Sequence, residues 1–286
     1  MANVRIADTT ISAQEVKVMS KMEFAQKVAE LVGGVAKEVD KANGTRRTGI
    51  CCGDGNVRPT IYIDEMYDDG VSVEDAAAKV REVADGAPAL DVNIDDVNDY
   101  EMTKDKLRLR LYNNSTKAEV FWPADEYGFD DLIIIPYIQF SDEAAAKVTN
   151  GMMKIWDVSK EQLFKDAFRA TAKCEFKIKG LGELIRELMP DAPDFMLPPV
   201  DDMTQVVVTN SSKMFGSIGI IIKRAELAEK FPNGYFVLPS SVHECIIMPN
   251  TGNENKAELD DMVRSVNEAE VAPEEVLGWG AYRIVA

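Results

Sequence analysis

Histidine is almost missing from this chain: His243 stands alone among 286 residues. Every active site that needs two imidazoles is therefore excluded. Cysteine is scarce as well. Cys51 and Cys52 are adjacent, Cys174 and Cys245 are isolated, and no Cys-x-x-Cys pair exists for zinc or for thiol–disulfide exchange. Four thiols in a chain this long do not make a disulfide framework, so reduced, mostly buried cysteines are expected. Long apolar runs are absent too. The longest, Leu132 to Phe140, falls far short of the ~20 residues a membrane span takes. The opening Met-Ala-Asn-Val-Arg-Ile-Ala-Asp has neither the basic start nor the apolar centre of a secretory leader, which points to the cytosol.

Positive charge is also in short supply. Lys and Arg number 32 against 49 Asp and Glu, a net charge of −17 with a pI near 4.6. Residues 1–100 hold 11 basic and 19 acidic side chains, nearly half of the excess. Such a surface repels nucleic-acid phosphates and anionic lipid, so neither is the expected partner. Another protein is. An acidic surface can keep a chain soluble, or it can imitate a phosphate backbone and occupy a basic groove elsewhere.

What is present describes an ordinary globular chain, 46% hydrophobic and 28% charged. A chain of this length can bury roughly three quarters of its unfolded surface and needs no metal or disulfide staple. Apolar residues at helical spacing predict a helix over 13–41, which Gly33-Gly34 can bend or break. Thr48–Cys52 and Pro59–Ile63 flank Gly53-Asp54-Gly55-Asn56 as a hairpin, and Ser72 opens a helix that stops at Gly86. Leu107, Leu109 and Leu111 alternate with arginines as in a half-exposed strand. Leu132–Phe140 reads as a buried strand, with Ala145–Ile155 as its partner. Ser159 caps a helix over Lys160–Ala172, and prolines at 190, 193, 198 and 199 mark a linker or long loop. Beyond it lie strands at Val206–Thr209, Gly219–Ile222, Tyr235–Leu238, Glu244–Met248 and Tyr282–Val285. Helices at Ala225–Lys230 and Lys256–Glu268 separate them. Strands and helices in this irregular order predict an α+β fold: a mixed, mostly antiparallel sheet with packed helices and a helical N-terminal third. Residues 1–100 form an acidic, helix-rich lobe with a hairpin, and 101–286 the α+β body, or the two make one continuous domain.

The candidate chemistry gathers at Leu238-Pro-Ser-Ser-Val-His-Glu-Cys-Ile-Ile-Met-Pro249. His243-Glu244 cannot be a zinc-protease pair, because Ile247 stands where the second histidine belongs. If 240–248 is extended, Ser241, His243 and Cys245 share one face. Their Cα atoms would then lie about 6–7 Å apart, rather long for a base to activate its nucleophile directly. A hydrolase or transferase would use His243 with Ser241 or Cys245, with Ser240, Glu244 and Asn210 as binding or orienting groups. The plainer reading is a chain turn at Pro239-Ser240-Ser241 with His243 bonded locally. No metal or cofactor site is expected. Asp91-Val-Asn-Ile-Asp95 has calcium-loop oxygen spacing, but Asp96 and Met102 replace the required Gly and Glu. Gly53-Asp-Gly-Asn lacks the Gly-Lys-Ser/Thr ending of a phosphate loop.

Several segments resemble a family of uncharacterised proteins of gut anaerobic bacteria and their mobile elements. They are Pro59-Thr-Ile-Tyr-Ile-Asp64 with Tyr67 and Gly70, Phe129-Asp-Asp-Leu132, Val148-Thr-Asn150 with Trp156, and Glu161-Gln-Leu-Phe-Lys-Asp-Ala167. Val208-Thr-Asn210, Leu238 to Glu244, Met262-Val-Arg-Ser-Val-Asn267 and Glu275-Val-Leu277 complete them. The resemblance implies no activity and no catalytic residues. The expectation is a cytosolic interaction or regulatory protein without catalysis. The alternatives are the His243-centred enzyme and an acidic inhibitor that mimics nucleic acid against a bacterial defence system.

Overall fold

The computed structural model describes residues 19–87, 90–142, 144–189 and 204–285. These fall into two compact units, one drawn from 1–41 and 45–93, the other from 42–44 and 94–286. The fold is α+β, with three antiparallel sheets among the described residues and helix at the N-terminal end. No described helix is long and apolar enough to cross a membrane. The proline-rich stretch from Pro190 to Pro199 lies outside the described residues.

The first unit opens with α1 (Lys21–Val32), started by a reciprocal capping box between Ser20 and Glu23. The expected helix over 13–41 ends well short of that. Gly33 takes a left-handed conformation at φ 67° and closes α1, and Gly34 then passes so close to the segment around Ile50 that an added Cβ would lie 2.9 Å from that side chain. The chain turns back as β1 (Val35–Asp40), antiparallel to β2 (Arg46–Cys51), which pairs in turn with β3 (Thr60–Tyr62). Helix α2 (Val73–Gly86) is capped by Ser72. Phe24, Val28, Ile50, Ile63, Ala76 and Val80 meet as this unit's core, each large side chain contributing roughly 1.5–3 kcal/mol by leaving water.

Asp64 ties the first unit together. Its carboxylate accepts the Thr48 N–H at 3.2 Å, Arg47 Nε at 3.2 Å and Lys21 Nζ at 3.3 Å, so strand and helix converge on one charge. Burial alone would push its pKa up. The hydrogen bonds from Thr48, Arg47 and Lys21 outweigh that and hold it below the ordinary carboxylate value.

The second unit carries two sheets around one shared core. In the first, β4 (Leu107–Asn113) and β5 (Trp122–Pro123) flank β6 (Leu132–Gln139), and β7 (Ala145–Lys147) joins beyond. Only three residues of the expected partner 145–155 are strand. Thr149 accepts the Met152 N–H and starts a helix over Asn150–Trp156 instead. Strand β4 is buried on both faces, and Arg110 with it, contrary to the half-exposed strand its alternation suggested. The reason is tertiary. Helix α3 (Lys160–Ala172) covers the free edge of β4, where Thr171 Oγ1 accepts the Leu109 N–H at 2.9 Å.

The second sheet holds β8 (Phe176–Gly180), β9 (Val206–Asn210), β10 (Tyr235–Pro239), β11 (Cys245–Pro249) and β12 (Tyr282–Ile284). They run in the order β12, β10, β11, β9, β8. Gly219–Ile222, expected as a strand, is a helical turn. Gly219 packs where an added Cβ would sit 2.8 Å from Phe176 and Val208, and the consecutive residues Gly219, Ile220 and Ile221 are all buried, with no alternation. Helix α4 (Lys256–Glu270) covers Phe236 and Leu238 with Leu259 and Val263.

Candidate functional site

Residues 240–244 are the turn that joins β10 to β11, not the first half of an extended strand. Ser241, His243 and Cys245 therefore do not line one strand face. Pro239 ends β10, and the buried Asn267 of α4 holds that end by donating to Pro239 O and Gly278 O, both at 2.9 Å. Three further segments grip the turn itself. Val242 donates its N–H to Glu275 O at 2.8 Å, and Val242 O accepts Ser217 Oγ–H at 2.8 Å. Thr209 Oγ1 donates to His243 O at 3.3 Å.

The facing segment is the loop from Asn210 to Gly216. Asn210 organises it: its side chain donates to Met214 O at 2.8 Å and accepts the Met214 N–H at 3.1 Å and Ser212 Oγ–H at 3.0 Å. The loop then takes two left-handed residues without glycine, Lys213 at φ 55° and Phe215 at φ 54°. A phenylalanine there is strained by roughly 1–3 kcal/mol and persists only where its surroundings enforce it. Gly216 is part of that enforcement. A Cβ on it would stand 2.7 Å from both Asn210 N and His243 O, so only glycine lets loop and turn close on each other.

His243 supplies the rest. Its Nδ1 accepts the Phe215 N–H at 3.1 Å, which assigns the ring proton to Nε2, and Nε2 faces Glu275 Oε1 at 3.4 Å. The Phe215 ring lies against the imidazole, their centroids 5.3 Å apart. Beyond Phe215 comes the Arg110 guanidinium, 3.7 Å from that ring's centroid, and then the Tyr137 ring at 4.2 Å. Four side chains from four segments thus touch in series: imidazole, phenyl, guanidinium, phenol.

The remaining sequence candidates have structural partners of their own. Ser241 Oγ accepts the backbone N–H of His243 at 3.1 Å, and Ser241 N–H donates to Glu244 O. Among the described residues no hydroxyl or thiol hydrogen-bonds the imidazole. Cys245 is fully buried on β11, and burial, with the Glu244 charge behind it, pushes its thiol far up from the ordinary value. Ser240 is half-buried at the head of the turn. Asn210 and His243 are brought onto the two sides of one loop contact, an assembly no local motif announces. Arg110, Phe215 and Glu275 escaped the sequence reading, because an arginine in a leucine-alternating strand and a phenylalanine in a polar loop carry no positional signature. No group of three or more His, Cys, Asp or Glu side chains able to hold a metal ion occurs among the described residues.

The segments that carry the family resemblance recur throughout this geometry: Asp64 at the polar centre of the first unit, Thr149 at a helix cap, Asn210 in the loop, His243 in the turn and Asn267 beneath it. The chain belongs to a family of unknown function (DUF5688), whose profile matches residues 14–283. No curated protein and no solved structure matches it.

Proposed function

We propose that this protein acts by binding and not by catalysis, as an interaction or regulatory protein whose partner is another protein. One observation carries the reading: the only imidazole in the chain is engaged in holding the fold. A general base needs a ring nitrogen facing a nucleophile or a substrate proton. Here Nδ1 accepts a backbone N–H and Nε2 faces Glu275, while Ser241 is turned toward the backbone and Cys245 has no access to solvent. The four cysteines are unpaired, which suits work in the reducing cytosol. Ion pairs interleave the acidic surface, as between Arg46 and both Glu38 and Asp40, or Lys173 and Asp105. That mixing favours an ordinary interaction surface over an unbroken acidic stripe imitating nucleic acid.

The test is a panel of activated ester, amide and phosphoester substrates offered to the wild-type chain and to His243→Asn. Asn keeps an acceptor close to the position of Nδ1. No histidine-dependent turnover is expected. Turnover that disappears in a folded His243→Asn protein would overturn the reading.

A further inference from the structure

Arg110 is a buried cation with no counter-ion among the described residues. Its side chain leaves β4 into the interior of the second unit, and the residue is only 9% exposed. The guanidinium carbon stands over two aromatic rings, 3.7 Å from the Phe215 centroid and 4.2 Å from that of Tyr137. In its own plane, Nη2 donates to Gln139 Oε1 at 3.0 Å. That is a neutral amide, and among the described residues no carboxylate pairs with Arg110. Buried charges are ordinarily paired, and two aromatic rings offset the desolvation of a guanidinium only in part. Its neighbour Arg108 differs: Nη1 of Arg108 is spent on the carbonyls of Asp105 and Leu107.

Arg110 and Gln139 line a cleft of about 310 Å³, the smaller end of the ligand-pocket range. Leu109, Phe176, Met214, Phe215 and Ile218 make much of the wall apolar. We infer that this cleft binds a small monocarboxylate, the acid group paired in plane with Arg110 and an apolar body against those walls. A guanidinium is planar and aims all its N–H donors within that plane, the geometry that a planar carboxylate matches with two parallel hydrogen bonds. Asp142 and Glu175 also line the cleft, and they oppose a dianion such as phosphate more than a single carboxylate. The carboxylate can come from a free organic acid or from the C-terminus of another chain ending in an apolar residue.

Naming a ligand class deepens the binding reading above, and the two fail separately. The experiment is calorimetric titration of the whole chain with benzoate, benzamide, inorganic phosphate, and a tetrapeptide ending in Leu with a free or an amidated C-terminus. Benzoate is expected to bind at least about tenfold more tightly than benzamide or phosphate, as a charge-dependent fork requires. Arg110→Met should abolish that binding. Gln139→Glu is the more searching variant, because it hands Arg110 an internal carboxylate in place of the amide. It gives up the bond from Gln139 Nε2 to Ser141 O, so it should fold about as well as wild type, and it should lose benzoate affinity by about tenfold or more.

A peptide that outbinds benzoate and loses the advantage on amidation identifies the source as a chain terminus. Benzoate binding without that advantage identifies a free acid, and both outcomes support the site. Equal affinity for benzamide, tighter binding of phosphate, unchanged benzoate affinity in folded Gln139→Glu, or no binding of any carboxylate at millimolar concentration would each overturn it. Sustained heat from consumption of a bound acid would instead sink the non-catalytic reading and leave the site standing.

Discussion

Asp64 in the first unit and Arg110 in the second make an instructive pair. Each is a charge drawn in from solvent. Asp64 is met by two cations and a backbone N–H, so its charge is fully answered by its own chain. Arg110 is met by two aromatic faces and one neutral amide. The first arrangement is complete and serves as a fastener. The second leaves room for an anion from outside, which is the difference between a charge used for folding and one kept for a ligand.

The sharpest way to break the comparison is Asp64→Ala. It leaves the Thr48 N–H unanswered and reduces Arg47 and Lys21 to their more exposed contacts with Glu65 and Asp68, and should cost the first unit about 3 kcal/mol. All three tryptophans, Trp122, Trp156 and Trp279, lie in the second unit, so hydrogen exchange along β2 rather than tryptophan fluorescence must read the loss. The pH dependence follows from the same carboxylate. Its folded pKa lies below the unfolded value of about 3.9, so its contribution is fully present above that value. The contribution is lost as the pH falls through the lower folded pKa. Exchange protection of β2 should therefore collapse on acidification in the wild type, while Asp64→Asn, already lacking the charge, should change little across that window.

Next in size is His243→Ala, which leaves the Phe215 N–H without its acceptor and frees a strained residue. About 2 kcal/mol of the second unit's stability should go, read by tryptophan fluorescence in urea, with His243→Asn recovering about half. Gln139→Glu sharpens the comparison from the other side by giving Arg110 what Asp64 already has. The ion pair gained outweighs the lost bond to Ser141 O only slightly, so a net gain under about 1 kcal/mol is expected in the same urea titration. Smallest should be Glu275→Gln: the pair to His243 is 3.4 Å long and half exposed, so a change under about 0.5 kcal/mol is expected. A large effect there would mean that the His243–Glu275 contact carries more than position.

Much of the fold was legible in the chain. The helix over Lys160–Ala172 was read to the residue, because Ser159 caps a clean apolar face. The strand over 132–139 was nearly so, since a run of isoleucines has few other uses. The failures share a cause. Residues 35–40 were read as helix and are strand, because Gly33 turns left-handed and Gly34 fits against β2. Gly219–Ile222 was read as strand and is helical, because a short apolar run buried at consecutive positions has no period to read. Of the site, His243 and Asn210 were found by composition and position. Their meeting across the Phe215 loop was not, since 33 residues separate them and no local pattern encodes the contact.

The sequence by itself determined the class of molecule: a single histidine, few cysteines with no Cys-x-x-Cys pair, an acidic balance and short apolar runs are legible in the chain, and they bound the available chemistry before any folding. Alternation and capping determined most of the strands and helices, because those depend on neighbours a few residues away. Only the tertiary structure decided what each charge would do. Whether an arginine in a leucine-rich strand is a solvated edge or a buried cation depends on what covers the strand, here Phe215 from a distant loop and a helix along its edge. Burial and pairing are set by contacts between remote segments, and they turn Asp64 into a fastener and Arg110 into a site.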